Sequence, residues 1–410
     1  MNRKLRHTML LAFTVISLVG CQSPVTPAAD AVIDIAAIHG VSAPVYGATP
    51  VTAIAETIQY TGTVTWNGSP ATFAASTVYT ATITLTPKSG FTLTGVAGDF
   101  FEVEGASSVS NPADSGVVTA VFPATWGENY DSPNIGILKF VPAGRFQRDA
   151  TASNISVITS PYRISTHEIT REQFAAVFST DPSDPTYSSG TTDPVQMTSW
   201  YDAIAFCNKL SITEDLTPVY EVSGVDFTTL TFPQIPTGFA DPALQAVWDA
   251  ATANWNADGY RLPTEMEWLW AAMGADTADP GAINTTGYLK AFAGSTGSNT
   301  IGDYAVFGYY QTETGRTDTE RSNPVGSKTA GANELGLYDM SGNVFEWTWD
   351  WYGDYPTGTV TDYRGADSGT ERIASGGSWG NDSSFCALAF RFHYYPPAQV
   401  QDFGFRVVRP

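Results

Sequence analysis

The chain has 410 residues, 43% of them hydrophobic and 13% aromatic, which is enough apolar surface for two cores of ordinary size. Its formal charge is −21 at pH 7; such a surface repels polyanions and argues against nucleic acid as a partner. No basic amphipathic segment is present to hold the chain on an anionic lipid surface.

The N-terminus begins with the basic stretch MNRKLRHT, followed by MLLAFTVISLVG, an apolar run too short to span a bilayer. Cys21 comes next. Leu18-Val19-Gly20-Cys21 resembles the lipobox of bacterial lipoproteins. That resemblance implies a signal peptide over 1–20 and an acylated Cys21 as first residue of an exported protein, anchored by its lipid at the outer membrane or cell surface. Besides Cys21 the chain has only Cys207 and Cys386, so no disulfide framework can form, and a single bridge between these two stays open. Residues 21–36 are small and Pro/Ala-rich and read as a tether.

Residues 37–125 have an all-β texture. In TVYTATITLTP, Thr80, Thr82, Thr84 and Thr86 alternate with Tyr79, Ala81, Ile83 and Leu85, the two-residue period of a half-buried strand. TVTWNGSP carries a hairpin signal at Asn67-Gly68, and GVVTAVFP is another strand. Short strands in a module of this size predict an immunoglobulin-like sandwich. It has no cluster of catalytic residue types, so it reads as a spacer.

A second texture runs over 133–410. NIGILKFVPAGRF reads as a strand pair, and THEITREQFAAVF opens a helix with Thr170 and Gln173 at capping-box spacing. SWYDAIAFCNKL is a second amphipathic helix, and RLPTEMEWLWAAM a third, with Thr264 and Glu267 as its box. DPALQAVWDAATANW reads as an inserted helix. Beyond 285 the chain is rich in Gly, Thr and Trp, with irregular strands and loops.

FVPAGRF, ISTHEITREQF, PVQMTSWYDAIAFCNKLS, YRLPTEMEWLWAA, NPVGSKTAGANELGLYDMSGNVFEWTWDWY, GGSW and FGFRVV, taken in order, resemble the formylglycine-generating-enzyme (sulfatase-modifying factor) family. The resemblance implies an α+β fold: an irregular C-type lectin-like domain over 133–410, here preceded by the all-β immunoglobulin-like module. Enzymes of the family bind copper through two cysteines five residues apart after GGS. Counted from Gly376, these positions are Asn381 and Cys386, and one thiolate cannot supply paired soft ligands. A second branch holds iron through histidines on a separate helical domain, whereas His39, His167 and His393 are scattered. Neither copper nor iron is expected. In LYDMSGNVFEW, Asp339 and Glu346 match family positions whose side chains bind Ca²⁺, and Gly342 and Val344 match carbonyl donors. The resemblance thus implies a structural Ca²⁺, set against a hydrogen-bonded loop with no ion.

The last stretch is GGSWGNDSSFCALAFRFHYYPPAQVQDFGFRVVRP. Its ends are regular, but residues 379–403 between them follow no period and are crowded with aromatics. The segment resembles the tails of spirochaete variable lipoproteins, which retroelements diversify by rewriting adenines of AAC codons. The resulting NNC codons cannot encode Trp, Met, Gln, Lys or Glu. Gly380, Asn381, Asp382, Ser384, Phe385, Phe390, Phe392, His393, Tyr394 and Tyr395 all comply, while Trp379, Cys386, Ala389, Arg391 and Pro397 read as scaffold. Tyr and Phe supply rigid contact area, and Ser, Gly, Asn and Asp supply adaptable polar contacts, as in a paratope. For Phe385 and Phe392, core filling and exposure weigh equally. Three adjacent large side chains cannot all face one core, so His393-Tyr394-Tyr395 is expected at the surface.

The expected function is therefore non-enzymatic: a monomeric surface lipoprotein whose tail binds a protein or glycan on a host or neighbouring bacterial cell. The alternative is a sulfatase-modifying-type oxidase acting on cysteines of exported protein. A structural surface protein without a ligand is the third reading, and it requires a buried tail.

Overall fold

A computed structural model describes residues 29–410 except 75–76, 124, 126, 276–281 and 329. The signal peptide, Cys21 and the first part of the tether lie outside the described residues. Among the described residues no helix is long and apolar enough to cross a membrane.

The N-terminal module is all-β. Strands Tyr60–Trp66, Thr80–Pro87, Val117–Val121 and Ser108–Ser110 form one antiparallel sheet in that order. Along Thr80–Pro87 the alternation is as expected: Ala81, Ile83 and Leu85 are buried, and the threonines between them lie on the outer side. Two short parallel pairs, Ala31–Val32 with Phe91–Thr92 and Ala37–Ile38 with Glu102–Val103, accompany this sheet. Ile33, Ile38, Phe101 and Val103 join its core.

Two expectations fail here. The end of the tether belongs to the module, because Ile33 is apolar enough to bury and its neighbours find an open strand at Phe91–Thr92. Asn67-Gly68 does turn the chain, with Ser69 N–H donating to Trp66 O, but it is not a two-residue hairpin connection. Trp66 pairs with Ala81 across a loop spanning 67–79. Asn67 Oδ1 instead accepts from Thr80 N–H and staples the mouth of that loop.

The C-terminal part mixes helices and strands. Helices α1 (Arg171–Phe178), α2 (Trp200–Thr213) and α4 (Glu265–Ala272) each start with a reciprocal capping box, at Thr170/Gln173, Ser199/Asp202 and Thr264/Glu267. Helix α3 (Pro242–Asp249) is shorter than expected, because Thr252–Ala253 leaves it to pair with Tyr220–Glu221. NIGILKFVPAGRF does not form a pair with itself. Gly136–Val141 lies between Tyr130–Ser132 and Tyr162–Ser165, and Gly144–Gln147 pairs with Ile155–Ile158 in another sheet. Pro142 lacks the N–H that a direct hairpin would use.

A third sheet, in the order Phe392–Tyr394, Arg372–Ser375, Phe345–Trp351, Phe403–Gly404, carries the tail. Helices α1 and α2 pack on it through Phe174, Trp200, Phe206, Trp347, Phe403 and Phe405. Helix α4 covers a second cluster through Met266, Leu269 and Trp270.

Candidate functional site

Two arginines pin the C-terminal sheet. Arg406 is fully buried and forks onto Glu346, with Nε to Oε2 and Nη2 to Oε1 both at 2.6 Å. Its remaining N–H groups reach the carbonyls of Ser165 (3.1 Å) and Tyr338 (2.9 Å), and Trp268 Nε1 donates to Glu346 Oε2 at 2.6 Å. Such a pair repays its desolvation only when every polar atom is met, as here. Arg372 stacks between Trp351 (3.4 Å) and Trp200 (3.8 Å), and burial lowers its guanidinium to about 9.

This geometry decides the fit of a calcium ion. Asp339, Gly342, Val344 and Glu346 are gathered in one buried turn, but Glu346 has both oxygens engaged by Arg406 and Trp268. A cation taking about six to eight oxygens would have to displace a guanidinium. Asp339 has φ 54° and its Oδ2 accepts from Gly326 N–H at 2.6 Å, and Gly342 is held against Val306. As arranged, the four do not make a calcium site, and among the described residues no three His, Cys, Asp or Glu side chains are gathered to hold a metal.

The free oxygens lie one partner away. Both Glu168 oxygens and Asp339 Oδ1 are buried without a hydrogen-bond donor. Burial, then Asp339 and Glu346, drives the Glu168 carboxyl well above its usual range. Burial raises Asp339 to about 6. Burial therefore favours a protonated form for this coupled pair. Glu168 was missed in the sequence because nothing near it in the chain marks it; its partners are far away in sequence.

The two positions that match the copper cysteines hold a single thiol. Cys386 is a buried free thiol beside Ala305 and Phe307, and burial pushes its pKa up, away from the reactive thiolate. Cys207 is likewise a buried free thiol, on α2. Asn381 sits 2.5 Å from Ser378 Oγ, which also reaches Asp402 at 2.7 Å. Asn381 Oδ1 and Asp402 Oδ2 both face the Ser378 hydroxyl as acceptors, and its single proton serves one of them at a time.

The tail itself is held by its backbone. Gly308 N–H donates to Asn381 O, Tyr309 N–H to Trp379 O, Leu388 N–H to Lys290 O, Trp200 N–H to Pro396 O and Met197 N–H to Val400 O. Gly377, at φ 77°, lets the strand turn; a Cβ there would lie 3.0 Å from the Phe385 carbonyl. Trp379, Cys386 and Pro397 are buried. Arg391 is clamped by Glu265 at 2.5 and 2.9 Å and lies over Tyr355 at 3.9 Å. Ala389 is exposed, unlike the other scaffold positions.

None of the ten candidate binding residues is fully buried. Gly380, Asn381 and Asp382 are half-buried, Gly380 against Tyr310, and Ser384 is exposed. Phe385, Phe390 and Phe392 are half-buried in one ring ladder, at 4.4 and 6.5 Å, whose inner side meets Phe345. Phe385 and Phe392 therefore lie between the two readings, each packed on Phe345 and only partly buried. His393 turns to the opposite side of its strand, stacks on Tyr352 at 3.7 Å and hydrogen-bonds Glu371 at 2.8 Å. Tyr394 and Tyr395 are 36% and 46% exposed. Tyr310, 59% exposed and outside the tail, was not among the expected residues; an aromatic pair, Tyr309-Tyr310, in a Gly/Thr-rich loop was the available signal.

The sulfatase-modifying factor enzyme 1-like domain matches residues 136–410. Chaperone protein LppX of Paenibacillus barcinonensis is 31% identical over 284 residues, covering 66% of this chain and 89% of that protein. The formylglycine-generating enzyme of Thermomonospora curvata is 31% identical over 173 residues, covering 40% of this chain and 54% of that enzyme, about half its length. Among solved structures, Treponema denticola variable protein 1 matches with a TM-score of 0.58 and 34% identity, covering 69% of this chain and 99% of that one.

Proposed function

The chain belongs to the sulfatase-modifying factor family, and from that membership we propose that it is a non-enzymatic, lipid-anchored surface protein that binds a ligand through its C-terminal tail. The observation that carries this is the division of the tail. The ten positions compatible with adenine-directed diversification all reach the surface, whereas Cys386 among them and Trp379 and Pro397 at their ends are buried. Main-chain hydrogen bonds to other segments hold the tail in place, and these do not depend on which side chains it carries. Such a segment can change its contacts without losing its path. The likeness to a spirochaete variable protein supports the same reading.

The lectin-like description of the scaffold and the immunoglobulin-like description of the module belong to this proposal, with the module as a spacer behind Cys21. No calcium takes part. The relative described as a chaperone supports polypeptide rather than glycan as the ligand class. Asn381 in place of a second thiol, and a buried Cys386, disfavour the oxidase alternative.

Incubation with Cu(I), oxygen and a cysteine-containing peptide is expected to yield no aldehyde; aldehyde formation at an enzyme-like rate overturns the non-enzymatic reading. Palmitate labelling is expected in the wild type and not in Cys21→Ser, and a labelled Cys21→Ser removes the anchor.

A further inference from the structure

The aromatic surface of the tail does not end with the tail. Gly238 N–H donates to Pro397 O at 3.0 Å, and Gln245 Nε2 holds Gly238 O at 2.6 Å, so the loop before α3 is bonded to the end of the variable segment. On that loop Phe239 is 61% exposed, belongs to no buried cluster, and meets Tyr395 edge-to-face at 5.6 Å. Tyr395 in turn meets Tyr394 at 5.9 Å, and Tyr394 meets Phe392 at 6.3 Å. A continuous line of rings thus runs from Phe385 to Phe239. A large apolar ring on a loop bonded in place, with nothing covering it, contributes little to the fold and marks an interaction surface.

A carboxylate stands at the Phe239 end of this line: Asp241, two residues from Phe239, caps α3. It is exposed and forms no ion pair among the described residues. The cation within the tail, Arg391, is neutralised by Glu265, and His393 is bonded to Glu371. At the far end, Arg316 is exposed among Glu313, Asp318 and Glu320. Electron-rich ring faces beside a free carboxylate favour lysine and arginine side chains.

We infer that Phe239 is a constant anchor at the edge of the variable surface, and that the partner is a polypeptide segment presenting lysine or arginine next to an apolar side chain. This rests on the tail being a binding surface. Phe239 lies outside 379–403, so it keeps one contact while the tail changes the others.

The test is selection from a phage-displayed random 12-residue peptide library on the full-length protein in detergent. Retained peptides are then titrated against the wild type, Phe239→Ala, Phe239→Tyr, Tyr394→Ala/Tyr395→Ala and, as a remote control, Ile58→Ala in the module. The expected peptides are basic and bind more weakly as salt rises. Phe239→Ala is expected to weaken them by about tenfold or more with an unchanged melting temperature, Phe239→Tyr to restore most of the affinity, and Ile58→Ala to change nothing. If Phe239→Ala binds like the wild type while the double tyrosine variant does not, Phe239 is no anchor and the tail reading stands. If neither weakens binding, or no peptide is retained, the tail reading falls too. Retention of acidic peptides overturns the cationic partner.

Discussion

At the scale of single residues, the buried carboxyls are held by a buried arginine. Glu346 is neutralised by Arg406, and Arg406→Ala would leave three buried carboxyls (Glu346, Asp339 and Glu168) without their cation. The expected cost is about 3–5 kcal/mol, read as a lower denaturant midpoint. Asp339 gives a pH signature. Burial raises its folded pKa to about 6, above its unfolded value, so the folded state holds that proton more tightly. Its stabilising contribution is complete below the unfolded value and lost as pH rises through about 6. His167, lowered to about 4 by burial, acts in the opposite sense below its ordinary value. The difference between Asp339→Asn and the wild type isolates the carboxyl: the variant should gain in relative melting temperature between pH 5 and pH 7. Asn also tolerates the left-handed φ at this position. Millimolar calcium should leave the wild-type melting temperature unchanged, because Glu346 has no oxygen to offer; a clear rise would restore the ion.

At the scale of elements, the tail strand Phe392–Tyr394 is an edge strand whose residues divide between core and solvent. Among the described residues Tyr395 meets only the rings of Tyr394 and Phe239, whereas Tyr394 also leans on Phe403 at 5.6 Å. Tyr395→Ala should therefore shift stability by less than about 0.5 kcal/mol, and Tyr394→Ala by about 1 kcal/mol. Equal and large losses would place both rings in the core. The helices were legible because a capping box is local: Thr170, Ser199 and Thr264 each bond within three residues. The strand pairing of NIGILKFVPAGRF was not, since Gly136–Val141 and Gly144–Gln147 take their partners from distant chain. Asn67-Gly68 carries the same lesson: a turn is a local event, but closing the strand pair waits for Thr80.

At the scale of the whole molecule, the buried clusters among the described residues fall into separate sets, one within 33–122 and three within 135–408, with no shared residue. Ile83→Ala, at a fully buried site of the module, should cost the module about 2–5 kcal/mol while peptide binding at the tail is unchanged. Calorimetry should show the loss in one of two transitions. A single transition that moves as a whole would mean that the two parts fold together. The acid excess belongs to this scale as well: a chain of charge −21 favours cationic partners at low salt wherever on its surface they bind.

By itself the sequence determined the family, the three capped helices, the alternating strand Thr80–Pro87 and the acidic surface, all of which are written within a few residues of one another or in composition. Only the tertiary structure decided which tail side chains face solvent, that Arg406 occupies Glu346, that Glu168 lies against Asp339 and that Phe239 extends the tail surface. These depend on contacts between distant segments, such as Trp200 with Pro396 and Gly238 with Pro397. No local period encodes them, because each one comes from an irregular chain filling the space left by the rest of the core.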